Sequence, residues 1–305
     1  MTTAILSMRK LAWTIGVPIE RLRTVERELN EDHRVHYRFF VQTKGKTIRH
    51  IRPPKDELME LQRAVVRKIL QPIGLDGAAH GGVSGRCPAS NARPHIGQSR
   101  ILKVDVKKFF DNVGHQQVRQ TLRRLGFGRD VARLMTRLMT LRGSLPQGAA
   151  SSPAMANLFA SLTIDTALGP TVETSGLQYT RFVDDLTFSG DAAVSVLPDV
   201  AALLTAQGLK INRKKTAVTP NTARQEVTGL AVNDPNRLTI ARTRRDAIRA
   251  AIFQVQLDLP SEAELEKRVR SIDGRIAQVE RFHPGDARRL RSYLTKRLSI
   301  SNTRL

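Results

Sequence analysis

The stretch RFVDDLTFSG, residues 181–190, decides how the rest of the chain is read. Asp184 and Asp185 stand side by side between Phe182-Val183 and Leu186, residue types that favour a buried strand. Adjacent carboxylates repel each other, and taking them out of water adds a desolvation cost. The flanking residues predict a hairpin from Tyr179 to Ser189 with the aspartate pair near its tip. A solvated turn accounts for such a pair on its own, so the setting has to decide whether it does chemistry.

That setting is strongly basic. The 305 residues include 50 Lys and Arg against 28 Asp and Glu, a formal charge of +22. Self-repulsion of this size calls for a polyanionic partner. Nucleic acid fits best, because every phosphate contact releases condensed counterions. An anionic membrane is the weaker alternative, and no apolar run approaches the roughly 20 residues that span a bilayer. The opening MTTAILSMRKLAW has neither the continuous apolar core nor the small-residue cleavage site of a signal peptide. A single cysteine, Cys87, excludes an intramolecular disulfide and a thiolate zinc cluster. The expected location is the cytoplasm, with no membrane partner. Seven histidines show no pair at metal-ligand spacing.

Along the chain, residues 4–31 predict two short helices separated by Val17-Pro18. Residues 37–52 predict a hairpin around Lys44-Gly45-Lys46. Apolar residues at Leu58, Leu61, Val65, Ile69 and Leu70 have a helical period. Residues 72–100, with six glycines and three prolines, predict a functional loop. A strand over ILKVDVKKFF, 101–110, precedes a helical stretch from about Gln116 to Met139, the turn LPQGAASSP and a helix over Ala154–Leu168. A helix over Val200–Gly208 follows, then a hairpin pairing 227–232 with 237–241 around Asn233-Asp234-Pro235-Asn236. From about Thr243 the chain is helical, and residues 236–305 carry 16 Lys and Arg against 8 Asp and Glu, a net of +8. The fold class is α+β.

Asp105 ends the apolar run of 101–110 in a setting like that of the pair. If its strand lies beside the hairpin, Asp105, Asp184 and Asp185 cluster, and three close carboxylates need a cation. Hard oxygen ligands suit Mg²⁺. Two such ions about 3.5–4 Å apart activate an attacking hydroxyl and stabilise a leaving oxygen, the chemistry of nucleotidyl transfer.

At this point the chain resembles the reverse transcriptases. Phe182-Val183-Asp184-Asp185 stands for their Y-x-D-D, and VDVKKFF, Val104 to Phe110, for their first metal-binding strand. LPQGAASSP from Leu145 is similar to their L-P-Q-G-x-x-x-S-P, and GLKINRKKT, Gly208 to Thr216, to the segment carrying a late lysine. Asn91-Ala92-Arg93-Pro94-His95 and Val227-Thr228-Gly229 resemble the N-A-x-x-H and V-T-G signatures of the bacterial retron branch. That branch lacks appended endonuclease and ribonuclease H domains.

The resemblance implies a right-hand polymerase with fingers, a palm of antiparallel sheet plus helices, and a helical thumb. The expected partition is an N-terminal helical cap at 1–35, fingers and the N-A-x-x-H region at 36–100, palm at 101–235 with part of 112–150 returning to the fingers, and a basic thumb at 236–305. It implies two Mg²⁺, with Mn²⁺ as a substitute, on Asp105, Asp184, Asp185 and the Val106 carbonyl. Lys215 is implied as the proton donor to pyrophosphate, with Lys214 its alternative. Phe110 is implied as a steric gate against a ribose 2′-OH, Gln147 as a contact to the nucleotide–template pair, and Arg49 and Lys46 as triphosphate ligands. Asn91, His95, Phe182, Val227, Thr228, Gly229, Arg242, Arg245 and Arg249 are implied contacts to RNA or primer. The implied activity copies part of a cognate structured non-coding RNA into single-stranded DNA from an RNA 2′-OH, using dNTPs, in antiphage defence with a separate effector protein. Two alternatives stay open: an intron-associated or diversity-generating reverse transcriptase, and a catalytically idle RNA-binding scaffold. One departure from the family pattern is Phe182, where tyrosine is usual.

Overall fold

The computed structural model describes residues 5–45, 47–255 and 261–302. The chain divides into two compact units, Met1–Cys87 with Arg100–Val218, and Pro88–Ser99 with Thr219–Leu305.

The first unit opens with helices Met8–Ile15 and Ile19–Glu31, which bury Leu11, Ile15, Leu22, Val25 and Leu29. Strands β1 (Phe40–Lys44) and β2 (Thr47–Ile51) pair antiparallel from Phe40↔Ile51 to Lys44↔Thr47, as the Lys44-Gly45-Lys46 turn predicts. Helix Asp56–Val65 then runs into one π turn, Val66–Leu70.

Strands β3 (Arg100–Asp105), β4 (Gln178–Phe182), β5 (Asp185–Ser189) and β6 (Ala217–Pro220) form a sheet in the order β4-β5-β3-β6. β5 runs antiparallel to both β3 and β4. The period of two sends Leu102, Val104, Leu186 and Phe188 to one face. There they share a buried core with Val118, Leu122, Met155, Phe159, Val200 and Leu204 of the surrounding helices. Lys103, Thr180 and Thr187 alternate with them on the other face, which ends in Asp105, Asp185 and Phe182.

The single helix expected over Gln116–Met139 is two, His115–Arg124 and Arg129–Met139. The apolar period continues through the break, but the backbone does not. Gly126 takes φ 87°, and a Cβ on Gly128 would lie 2.2 Å from the Leu6 carbonyl oxygen. The helix expected over Ala154–Leu168 spans more: Ser152–Ala160, a π turn Ser161–Asp165, and Thr166–Thr174.

In the second unit, Pro88–Ala92 is a helical turn continued by a 3₁₀ turn, Arg93–His95, within what the sequence predicts as loop. Strands β7 (Glu226–Val227) and β8 (Leu230–Ala231) form a tight hairpin. The longer hairpin expected between 227–232 and 237–241 reduces to one bridge, Ala231↔Thr239. The reversal comes earlier, because Thr228 and Gly229 both take positive φ, 48° and 80°, the pattern of a type I′ turn. Helices Arg242–Gln254, Glu262–Glu280 and Pro284–Asn302 follow, packed through Ile248, Ile252, Ile272, Ile276, Leu290 and Leu294. No helix among the described residues is long and apolar enough to cross a membrane.

Candidate active site

The sheet register brings the three aspartates together. Asp105 is the cross-strand partner of Asp185, and Phe182 is the partner of Asp185 on its other side. Partners across antiparallel strands share a face, so Phe182, Asp185 and Asp105 form a row across β4, β5 and β3. Val183 and Asp184 make the two-residue turn between β4 and β5. The Val106 N–H donates to the Asp184 carbonyl at 2.9 Å, tying the turn to the end of β3.

Asp105 is buried, and its carboxylate accepts from Asn212 Nδ2 at 2.7 Å and Lys215 Nζ at 2.8 Å. Lys215, rather than Lys214, therefore makes the contact to Asp105. Its hydrogen bond to Asp105 raises the Lys215 amine, so it holds its proton. Burial raises the Asp184 acid, and Asp105 adds to this, while Lys215 and Arg49 pull it back down. Asp185 reaches solvent on one side but is crowded on the others. That desolvation, then the charges of Asp184 and Asp105, push its acid up to about 6.

This donor set fits a divalent cation: oxygen ligands only, negative charge in excess, and the acids of Asp184 and Asp185 raised by burial and by their acidic neighbours. The ammonium of Lys215 supplies part of that charge. Among the described residues, the set whose ligand atoms all lie within 4.8 Å of one another is a different one, Glu28, His36 and Glu57. Those groups already have partners: His36 meets Glu28 at 2.8 Å, and Glu57 pairs with Arg21.

The remaining predicted residues of the first unit lie as follows. Arg49 is close enough to lower the Asp184 acid. Lys46 lies outside the described residues. Phe110 is half-buried, its ring tilted against Phe109 at 5.9 Å between centroids. The Gln147 carbonyl accepts from the Arg52 N–H at 2.7 Å, which seats the LPQG loop on the end of the β1–β2 hairpin. Gly148 next to it takes φ 98°.

In the second unit Asn91 and His95 are buried, and Thr228 Oγ1 donates to the Pro88 carbonyl at 2.8 Å. The helical turn Pro88–Ala92, which leads into N-A-x-x-H, and the V-T-G segment, far apart in sequence, thus meet. Arg245 pairs with Asp286, whereas Arg242 and Arg249 share Asp246 and stay exposed. Several residues escaped the sequence reading. Asn212 could have been found by its place in GLKINRKKT, whereas Asp165, Asn157 and Gly81, which surround Arg181 and the turn, gave no sequence signal.

An antiparallel sheet with three acids at adjoining strand ends, a protonated lysine among them and a basic chain around them define a right-hand nucleic-acid polymerase. Residues 41–233 match the family Reverse transcriptase (RNA-dependent DNA polymerase). The chain is 34% identical over 303 residues to the retron Mx65 reverse transcriptase of Myxococcus xanthus, covering 92% of this chain and 69% of that protein. It is 32% identical over 266 residues to the retron Ec86 reverse transcriptase of Escherichia coli, covering 85% and 81%. The chain belongs to the reverse transcriptases, in their retron branch, and its activity is RNA-directed DNA polymerisation. Reverse transcriptases as a family require a divalent metal ion.

Among solved structures, an apo telomerase of Candida tropicalis superposes with a TM-score of 0.51 at 10% identity, covering 88% of this chain and 57% of that one. A telomerase of the same organism in complex with a fragment of telomeric RNA gives 0.50 at 9% identity, covering 87% and 58%. At such identities the likeness establishes the fold, a right-hand polymerase.

Proposed function

We propose that this chain is the polymerase of a retron. It copies part of a cognate structured non-coding RNA into single-stranded DNA, starting from a 2′-OH of that RNA and leaving a branched RNA–DNA product. The observation that carries the chemistry is the pairing of Asp105 with Asp185 across adjacent strands, with Asp184 in the turn beside them.

Asp105, Asp184, Asp185 and the Val106 carbonyl would hold two Mg²⁺, or Mn²⁺ in its place. When bound, such ions acidify the attacking hydroxyl and offset the charge of the triphosphate. The chain's own groups do the rest. Lys215 keeps its proton beside Asp105 and hands it to the departing pyrophosphate as a general acid. Arg49 binds the triphosphate, Gln147 braces the nucleotide–template pair, and the Phe110 ring excludes a ribose 2′-OH. Phe182, Thr228, Gly229, Arg242, Arg245 and Arg249 contact RNA or primer, chiefly through backbone and shape, while the buried Asn91, His95 and Val227 support that surface from within. A separate effector completes an antiphage device in the bacterial cytoplasm.

The test is to express the chain with the RNA locus adjacent to its gene and isolate RNase-resistant single-stranded DNA joined to RNA. Such DNA is expected from the wild type and not from Asp184→Asn, with a loss of about a thousandfold or more. Undiminished product from Asp184→Asn refutes the acidic centre. DNA made on any primed template but never from the local RNA refutes the retron assignment.

A further inference from the structure

Beneath the Val183–Asp184 turn lies a buried polar network that the proposed chemistry does not use. Alternation along β4 puts Arg181 on the core face, opposite to the face of Phe182. Its side chain is 1% exposed and that of Asp165 is 0% exposed. Burying a guanidinium is tolerated only when its donors are satisfied. Arg181 Nε donates to Asp165 Oδ1 at 2.8 Å and Nη2 to Asp165 Oδ2 at 2.6 Å, a bidentate pair. Tyr179 donates its hydroxyl to the same carboxylate at 2.7 Å.

The third nitrogen of Arg181 is used differently. Nη1 donates to Asn157 Oδ1 at 2.8 Å and to the Val183 carbonyl at 3.0 Å, inside the turn itself. Val183 takes φ 61°, an outlier for a β-branched residue. A positive φ at the first of two turn residues is the II′ pattern, where glycine is preferred. Such strain persists only where the surroundings over-determine it. Here they do. The Arg181 N–H donates to the Ala78 carbonyl at 2.7 Å, and its own carbonyl accepts from the His80 N–H at 2.8 Å. Asn157 Nδ2 donates to the Gly81 carbonyl at 2.8 Å. A Cβ on Gly81 would fall 2.6 Å from the Val183 nitrogen, so that segment can lie against the turn only as glycine.

We propose that Arg181 is a positioning residue for DNA synthesis. Through its bond to the Val183 carbonyl, backed by Asp165 and Asn157, it holds the strained turn so that the Asp184 and Asp185 carboxylates stand beside Asp105. This rests on the assignment of those aspartates as the catalytic centre. A plain structural ion pair needs only Nε and Nη2. The link from Nη1 to the turn carries the proposal, and a lysine at 181 keeps the charge while losing that link.

The test uses the full chain with a primed RNA template, following single-nucleotide addition, thermal melting, and Mn²⁺ binding by electron paramagnetic resonance without nucleotide. Arg181→Lys is expected to lower kcat about 10–100-fold, the scale set by small misplacements of reacting groups. KM for dNTP, measured at saturating Mg²⁺, should stay within about twofold, since Arg181 itself does not touch the nucleotide. Mn²⁺ should bind more weakly. Adding Val183→Gly to Arg181→Lys should restore about tenfold of the lost rate, because glycine takes positive φ unaided. If Arg181→Lys does not fold, the apolar pair Arg181→Met with Asp165→Leu, with and without Val183→Gly, answers the same question.

A folded Arg181 variant that keeps wild-type kcat and Mn²⁺ affinity overturns the proposal. So does a loss that follows melting temperature alone and is not restored by Val183→Gly. An active Asp184→Asn would instead overturn the catalytic assignment beneath it, so the two failures are separable.

Discussion

At the scale of single residues, Asp185 records what the site lacks on its own. Its acid rises from the ordinary 3.8 to about 6 through desolvation and its acidic neighbours. The folded chain therefore holds a proton that the unfolded chain has released, and without metal its stability falls as pH rises from 3.8 through 6. On the proposed assignment a divalent cation would bind the deprotonated site and stabilise the fold by mass action. The melting-temperature gain on adding MgCl₂ should be larger at pH 7 than at pH 5, and Asp185→Asn should flatten that difference. Equal gains at both pH values in the wild type would contradict it. Phe182 lies in the same row as Asp185 and Asp105 but offers no ligand atom. Phe182→Tyr should change kcat by no more than about threefold, under about 1 kcal/mol in barrier, in a primer-extension assay.

At the scale of elements, the LPQG loop is held by close backbone contact. A Cβ on Gly148 would sit 2.8 Å from Ile51 Cγ2 and 3.4 Å from the Pro53 nitrogen, at a φ of 98°. Gly148→Ala should cost about 1–3 kcal/mol of stability through overpacking and strain, read by urea denaturation. It should also raise KM for dNTP, because Gln147 moves with the loop. Elements of this kind were legible where chemistry repeats locally. Alternation gave the strands around Asp105 and the Asp184–Asp185 pair, and Lys44-Gly45-Lys46 marked a turn. The break at Gly126–Gly128 was hidden because apolar spacing runs through it, from Val118 and Leu122 to Val131 and Met135. Thr228 concealed the I′ turn, since a β-branched residue there argues for strand. The Arg181–Asp165 pair was not legible at all. Asp165 ends a π turn of a helix, and only tertiary packing brings it under β4.

At the scale of the whole molecule, the charge of +22 sets how the chain meets its template. Binding to an RNA duplex should weaken with salt at a slope of about −0.7 to −0.9 per phosphate neutralised. With six or more contacts that is roughly a thousandfold between 50 and 200 mM, measurable by fluorescence anisotropy; a flat profile would assign the charge to solubility alone. The division into units has another consequence, in time rather than in space. The second unit is assembled from Pro88–Ser99 and Thr219–Leu305, so its first strip leaves the ribosome long before the rest exists. At about 5–20 residues per second, the strip bearing Asn91 and His95 waits on the order of ten seconds for Thr228 to be made. For that interval it is an orphan that a chaperone, or the RNA being transcribed nearby, is free to occupy. A gene cut at residue 218 could therefore never yield this unit as a self-sufficient fragment.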